Sequence, residues 1–421
     1  MARFGWTEAV SPIREPASSV PQEIARLAGM RELHAAARWF EAHARQFCEW
    51  QMEVTRIPAP PFGESHRADW VRARFLEIGL EEVHIDEAGN VLGVRSGAVA
   101  GSKFAALTAH IDTVFPAGIP IDVRREGSRL VGPGISDNGS GIVALLAIAH
   151  AMQAAAVRNV SPVLFAANVG EEGEGDLRGM RHLFNDPRWR DAIAYTLVLD
   201  GGGTDTVITE GLGSRRFQAT VSGPGGHSWS DFGTPNPIAL LARAIDLFSR
   251  TPIPRDPRTA FNIGVISGGT SVNSIPESAA MKVDVRSASS AELDRLEGAL
   301  RNALIEATTD LRGGGIDPRR ARDIRYDLKV IGNRPAAELP SDSRILEVIK
   351  AVDAQLGINS RQQRASTDAN IPLSLGREAL AIGAGGSGGG AHTLHEWYDP
   401  DTRELGLRRV LLALLTLTGV A

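Results

Sequence analysis

Three apolar runs in this chain, residues 104–107, 163–167 and 197–199, each lead within a few positions into ionisable groups. His110 and Asp112 follow the first in ALTAHIDTVFP, Glu171 and Glu172 follow the second in FAANVGEEGEG, and Asp200 follows the third in TLVLDGG. Short apolar runs separated by helical segments predict strands buried on both faces, as in a parallel sheet covered by helices. Ligands of such sheets gather at the carboxyl ends of the strands, where these charges stand. Asp137 in GPGISDNGSG and His392 in GGGAHTLHEW add two more candidates to the set. Carboxylates crowded together repel unless positive charge lies between them, and a pair of divalent cations would supply it.

A chain of 421 residues is longer than one core usually organises, so two domains are expected. Residues before about 20 read as irregular, punctuated by Pro12 and Pro16, and 22–54 then read as a helical leader. After IPAPPFGE, Val71, Phe75 and Ile78 recur at helical spacing, and VHIDEAGNVLGVRSG reads as a hairpin. Strand and helix alternate from there to residue 199, with helices at 139–152 and around 180–184. From about residue 214 the rhythm becomes strand, helix, strand, strand, helix, strand, at 216–222, 237–249, 261–267, 278–286, 291–308 and 324–331. The chain then returns to its first rhythm with a helix at 343–356, a strand at 380–382 and a closing helix at 404–417. The expectation is an α/β catalytic domain with a mixed sheet and helices on both faces, made of residues 58–213 and 336–421. Into it is inserted a smaller α+β (βαββαβ) domain, 214–335, and a leader, 1–57, precedes it.

The balance of 45 basic and 50 acidic residues leaves a net charge of −5 with no basic stripe, which argues against nucleic acid. No apolar run is long enough to span a bilayer, and no secretory signal is evident, so no membrane partner and a cytoplasmic location are expected. Cys48 is the only cysteine, which excludes an intramolecular disulfide and a cysteine metal cage. The glycines at 383–390 superficially suggest a dinucleotide loop, but no helix follows them and His392 comes almost at once.

Oxygen and imidazole groups suit hard and borderline divalent metals, and a catalytic site keeps a position open. Asp137, in a tight turn opening the helix at 139, is the candidate bridge between two ions. His110 and Asp200 would complete one ion's shell, Glu172 and His392 the other's. Asp112 is placed to accept the second ring proton of His110. Glu171 and Glu172, adjacent in an extended or turning segment, point apart, so that one binds metal while Glu171 serves as general base. Each residue has an ordinary reading when taken alone: His110 as a core histidine, Asp137 as a helix cap, the glutamates as a solvated turn. Their joint order beside matching elements favours the site. His395 competes with His392, which follows the glycine run directly.

HIDTV, SDNGSG, GEEGEG, LDGG, GGHSW, GVISGGTSVNSIPESAAMKVDVRS, STDANIP and GGGAHTLHEW together resemble the motifs of the M20 family of metallopeptidases, over nearly everything after Ile57. The resemblance implies that His110, Asp137, Glu172, Asp200 and His392 are metal ligands, that Glu171 is the base and that Asp112 supports His110. It implies that His227 stabilises the oxyanion, reaching the site by lid closure or from a partner subunit. It implies too that Arg286 and Asn273 hold the substrate's carboxylate; the amides of Gly388, Gly389 and Gly390 are candidates to assist. Asp200 and the STDANIP segment are similar to the tripeptidase branch. The expected function is hydrolysis of an amide bond in small peptides by a tripeptidase-like aminopeptidase using two divalent ions, zinc foremost, with cobalt or manganese as alternatives. The alternatives are an N-acyl amino acid deacylase or carboxypeptidase of the same fold, or a non-catalytic binding protein on this scaffold. A homodimer formed through the inserted domain is expected.

Overall fold

The computed structural model describes residues 19–311, 316–317, 320 and 323–421. The irregular segment expected before residue 20 lies almost wholly outside them. The helical stretch expected at 22–54 is three helices, Val20–Ala28, Arg31–Ala42 and Ala44–Thr55, broken at Gly29–Met30 and at His43. Ile24, Leu27, Phe40, Phe47 and Val54 sink into the same core as the main sheet, so the leader is part of that body.

The large sheet runs in the order Glu81–Ile85, Val91–Arg95, Val163–Asn168, Phe104–His110, Ile193–Leu199, Glu378–Ile382, Thr206–Gly211, Ala337–Glu338, with Arg361–Ala365 beside Thr206–Gly211. Val163–Asn168, Phe104–His110, Ile193–Leu199 and Glu378–Ile382 pair parallel, so their carboxyl ends open at one edge. The helix Gly139–Ala154 is apolar nearly all round, because it is sandwiched between this sheet and the helices Arg31–Ala42 and Ala44–Thr55. Its first turn is capped by Asn138, whose Oδ1 accepts the Gly141 N–H at 3.1 Å.

A separate four-stranded antiparallel sheet follows the order Thr259–Gly268, Ser278–Ser287, Gly213–Ser222, Arg325–Arg334. Helices Pro237–Ser249 and Ser290–Thr309 pack on it around Phe217, Leu241, Phe248, Leu296 and Leu300, a core distinct from the first. The strand and helix order is the one expected for the insertion. A third sheet joins Ser387–Gly389, Trp397–Asp399, Arg129–Val131 and Arg124–Glu126, and brings the loop carrying His392 against the loop carrying Asp137. No helix among the described residues is long and apolar enough to cross a membrane.

Candidate metal centre and its cleft

His110 ends its strand, Asp200 follows Ile193–Leu199 directly, and Glu171 and Glu172 sit in the turn after Val163–Asn168. Asp137 lies just before the sandwiched helix. Parallel strand ends thus deliver three of the groups to one place, and the helix entry delivers the fourth. His392, with φ of 63°, comes in from the loop between Ser387–Gly389 and Trp397–Asp399.

The five groups form two clusters sharing Asp137: His110, Asp137 and Asp200, and Asp137, Glu172 and His392. Nε2 of His110 lies 3.1 Å from Asp137 Oδ1 and 3.8 Å from Asp200 Oδ1. Nε2 of His392 lies 3.3 Å from Asp137 Oδ2 and 3.2 Å from Glu172 Oε1. Each oxygen of Asp137 therefore faces a different imidazole, the arrangement a bridging carboxylate requires. Asp137 Oδ1 is buried and, despite its closeness to His110, makes no aligned hydrogen bond. Two nitrogen and oxygen donor sets, each of three groups, fit two divalent ions with open positions.

The electrostatics agree with that fit. Burial works against charge on Asp137, yet the imidazoles of His110 and His392 hold its carboxyl far below the ordinary range. Asp137 and Glu172 push the His392 imidazole up to about 10. Burial likewise opposes charge on His110, and Asp112, Asp137 and Asp200 overcome it and raise its pKa well above the usual histidine value. Imidazoles held this strongly in their charged form occupy the place that cations take on binding, with release of protons.

The expected role of Asp112 needs refinement. Its carboxylate Oδ1 is 3.7 Å from His110 Nδ1, long for a hydrogen bond, and the nearer acceptor is the Asp112 carbonyl at 3.2 Å. The carboxylate instead accepts the N–H of Glu171 at 3.0 Å and of Glu172 at 2.7 Å. Asp112 is thus the staple between the strand end bearing His110 and the turn bearing both glutamates. Burial pushes the pKa of Glu171 well above the usual carboxylate value, with Arg334 opposing and Glu172 adding to the rise.

A cleft of about 320 Å³, open to solvent, is lined by Asp137, Glu171, Glu172, Asp200 and His392 together with Arg216, Arg286 and Arg334. His227 and Asn273 do not line this cleft. They meet at a short two-stranded antiparallel ribbon beside the small sheet, where His227 pairs with Ser274 and the Ser228 N–H donates to the Asn273 carbonyl at 3.0 Å. His227 is exposed, its Nδ1 accepting the Trp229 N–H at 3.2 Å. Gly388 and Gly389 also lie outside the cleft lining, paired with Tyr398 and Trp397 in the third sheet.

Four residues at the site had no role in the sequence reading. Arg216 and Arg334 belong to strands of the inserted body. Glu396 accepts the N–H groups of Gly134, Ser136 and Asp137. Asp368, in STDANIP, is fully buried and accepts from Asn168 Nδ2 at 2.6 Å; burial pushes it up to about 7. The last two stood inside recognised motifs. The arginines had no such signal: Arg216 opens an expected strand, and Arg334 lies three residues beyond another.

Peptidase family M20/M25/M40 matches residues 106–416, and the chain belongs to that family. A probable carboxypeptidase of Aspergillus clavatus is 31% identical over 266 residues, covering 57% of this chain and 56% of its own length. The chain thus spans just over half the length of that curated relative. Among solved structures, the aminopeptidase PepT of Bacillus cereus has a TM-score of 0.70 at 18% identity, covering 89% of this chain and 98% of its own. A dinuclear metal-binding peptidase of the M20 family from Bacillus subtilis has a TM-score of 0.65 at 14% identity, covering 90% of this chain and 100% of its own.

Proposed function

We propose that this protein is a two-metal amide hydrolase that releases the carboxylate-bearing residue of a small peptide or N-acyl amino acid. The observation that carries the reading is the cleft itself, whose lining brings the groups of two clusters sharing Asp137 together with Arg216, Arg286 and Arg334. His110, Asp137 and Asp200 would hold one ion and Asp137, Glu172 and His392 the other. The ions, when bound, supply Lewis acidity at the scissile carbonyl and a more acidic water. Zinc suits this nitrogen and oxygen set, with cobalt or manganese as alternatives.

Glu171 takes the proton of the attacking water and delivers it to the leaving nitrogen. Its backbone is held by Asp112, so its carboxylate works from a fixed base. Arg286 presents a planar fork suited to a substrate carboxylate. His227 stabilises the oxyanion when its short strand is brought to the cleft, by movement of the inserted body or from a second copy.

The cleft moves the preference from the aminopeptidase expectation to the carboxypeptidase or deacylase alternative. An aminopeptidase needs a carboxylate for the substrate's ammonium group. The acidic groups lining this cleft are Asp137, Glu171, Glu172 and Asp200, all of them engaged above. The probable carboxypeptidase activity of the Aspergillus relative supports the same choice. Zinc-reconstituted protein incubated with free tripeptides, dipeptides and N-acyl amino acids, with and without chelator, tests it by mass spectrometry. Chelator-sensitive release of the C-terminal residue, from blocked substrates included, is expected. Removal of N-terminal residues from free peptides alone would restore the aminopeptidase reading, and metal binding without any hydrolysis would favour the binding protein.

A further inference from the structure

The turn Glu171–Asp176 is gripped from two sides. From the large sheet, the Asp112 carboxylate binds its first two N–H groups. From the small sheet come five more contacts, made by four residues. Arg334 Nη1 donates to Glu171 Oε1 at 3.0 Å while its Nη2 donates to the Glu171 carbonyl. Arg216 donates to the Gly173 carbonyl, Lys282 Nζ lies 3.5 Å from Glu174, and the Asn333 N–H donates to the Asp176 carboxylate at 2.9 Å. Arg334 is 5% exposed and Glu171 6%. Arg334 is also the last residue of Arg325–Arg334, opposite Ser214, and the chain enters the large sheet at Ala337. It therefore stands where the inserted body joins the catalytic one.

We propose that Arg334 is the positioning residue of Glu171: one guanidinium fixes both the carboxylate and the carbonyl of the base, so that the seating of the inserted sheet sets where the base points. The proposal rests on Glu171 being the base. A glutamate side chain has several rotatable bonds, and repulsion from the neighbouring Glu172 favours turning about them. A planar fork that takes one atom from the side chain and one from the main chain of the same residue removes that freedom, and the single ammonium of lysine, with no fixed fork, restrains it less. Ser366 Oγ, 3.1 Å from Nη1, holds the guanidinium in turn. Misplacing a base by about 1 Å costs on the order of 100-fold in rate.

The test compares wild type, Arg334→Ala and Arg334→Lys as full-length protein. With zinc bound, Arg334→Ala is expected to lose about 100-fold in kcat at nearly unchanged KM and unchanged metal content. Arg334→Lys should fall between, and added guanidinium ion should restore part of the rate to Arg334→Ala but none to Arg334→Ala/Glu171→Ala. In metal-free protein, amide hydrogen exchange of the 171–176 segment should quicken in Arg334→Ala, while the helix Gly139–Ala154 keeps wild-type exchange. A raised KM at constant kcat would overturn the proposal in favour of substrate binding. Unchanged exchange of 171–176 would overturn it whether or not the wild type turns over the chosen substrates, which separates its failure from that of the hydrolase reading.

Discussion

Glu396 accepts the Asp137 N–H at 2.7 Å, tying the loop that carries the proposed bridging ligand to the loop that carries His392. The same carboxylate accepts the Gly134 N–H at 2.7 Å and the Ser136 N–H at 2.8 Å, so three N–H groups of one loop converge on one side chain. Glutamine at this position turns one acceptor oxygen into a donor facing N–H groups. Glu396→Gln should weaken metal affinity about 10–100-fold, as loss of a group supporting a ligand does, and calorimetric titration of zinc into the chelator-treated protein measures it. Unchanged affinity would mean that the loop keeps its shape unaided.

Asp137 and Glu171 should separate binding from turnover. Asp137→Ala removes the group common to both clusters and is expected to empty both positions, read as metal per subunit by mass spectrometry. Glu171→Ala should keep its metal and lose nearly all turnover. Equal metal content in Asp137→Ala and wild type would end the bridging assignment.

The C-terminal helix is anchored by a buried two-point ion pair, Arg409 Nε to Asp353 Oδ1 at 2.6 Å and Nη2 to Oδ2 at 2.7 Å. Arg409 is completely covered, and removing it leaves the Asp353 charge buried with only Ser360 beside it. Arg409→Met should cost about 3–5 kcal/mol, and Arg409→Met/Asp353→Leu should recover much of that. Urea unfolding of the two variants decides it. An equal loss in both would assign the cost to packing instead of charge.

His150 lies between Trp39 and Trp50, with ring centroids 5.5 and 5.4 Å away. Burial lowers its pKa below the ordinary 6.5, with His43 and Arg74 adding to that and Glu77 opposing. The folded protein thus takes up this proton less readily than the unfolded chain. Its contribution is complete above pH about 6.5 and is lost as pH falls through the lower folded value. His150→Phe should keep the stack and remove this dependence. Thermal midpoints of the two proteins should therefore diverge between pH 7 and 5, with wild type falling faster, and parallel curves would refute the assignment.

The parts legible in the sequence were those whose chemistry repeats locally. Phe104–His110 and Val163–Asn168 are mostly apolar because both faces are covered, and the ionisable groups at or just beyond their ends stand out against those runs. Arg361–Ala365 reads RQQRA and joins the sheet beside Thr206–Gly211 with its side chains largely exposed, so it carries no period that sequence could reveal. Glu396 lies 259 positions from Asp137, and Arg334 lies 163 from Glu171. Contacts at such separations depend on how two sheets meet, and no local pattern encodes that. At Asp112 the local spacing points to His110, whose Nδ1 lies 3.7 Å from the carboxylate, while the N–H groups of Glu171 and Glu172 that the carboxylate also accepts come from 59 and 60 positions away.

His227 gives the sharpest test of assembly. It is exposed and outside the cleft lining, and Trp229, Phe232 and Val272 beside it are exposed as well, at 87%, 72% and 104%. The strand Thr259–Gly268 of the same body is an edge with a free hydrogen-bonding side, the kind of edge that a second copy can extend. If a partner supplies the histidine, His227→Ala should lose about 10²–10³-fold in kcat, the cost of one oxyanion donor, with metal content unchanged. Mixing His227→Ala with Glu171→Ala, each nearly inactive, then gives mixed dimers with one complete site. Random exchange of subunits should restore about one quarter of the wild-type activity. If His227 acts within its own chain, every site in the mixture lacks one group or the other, and no activity returns.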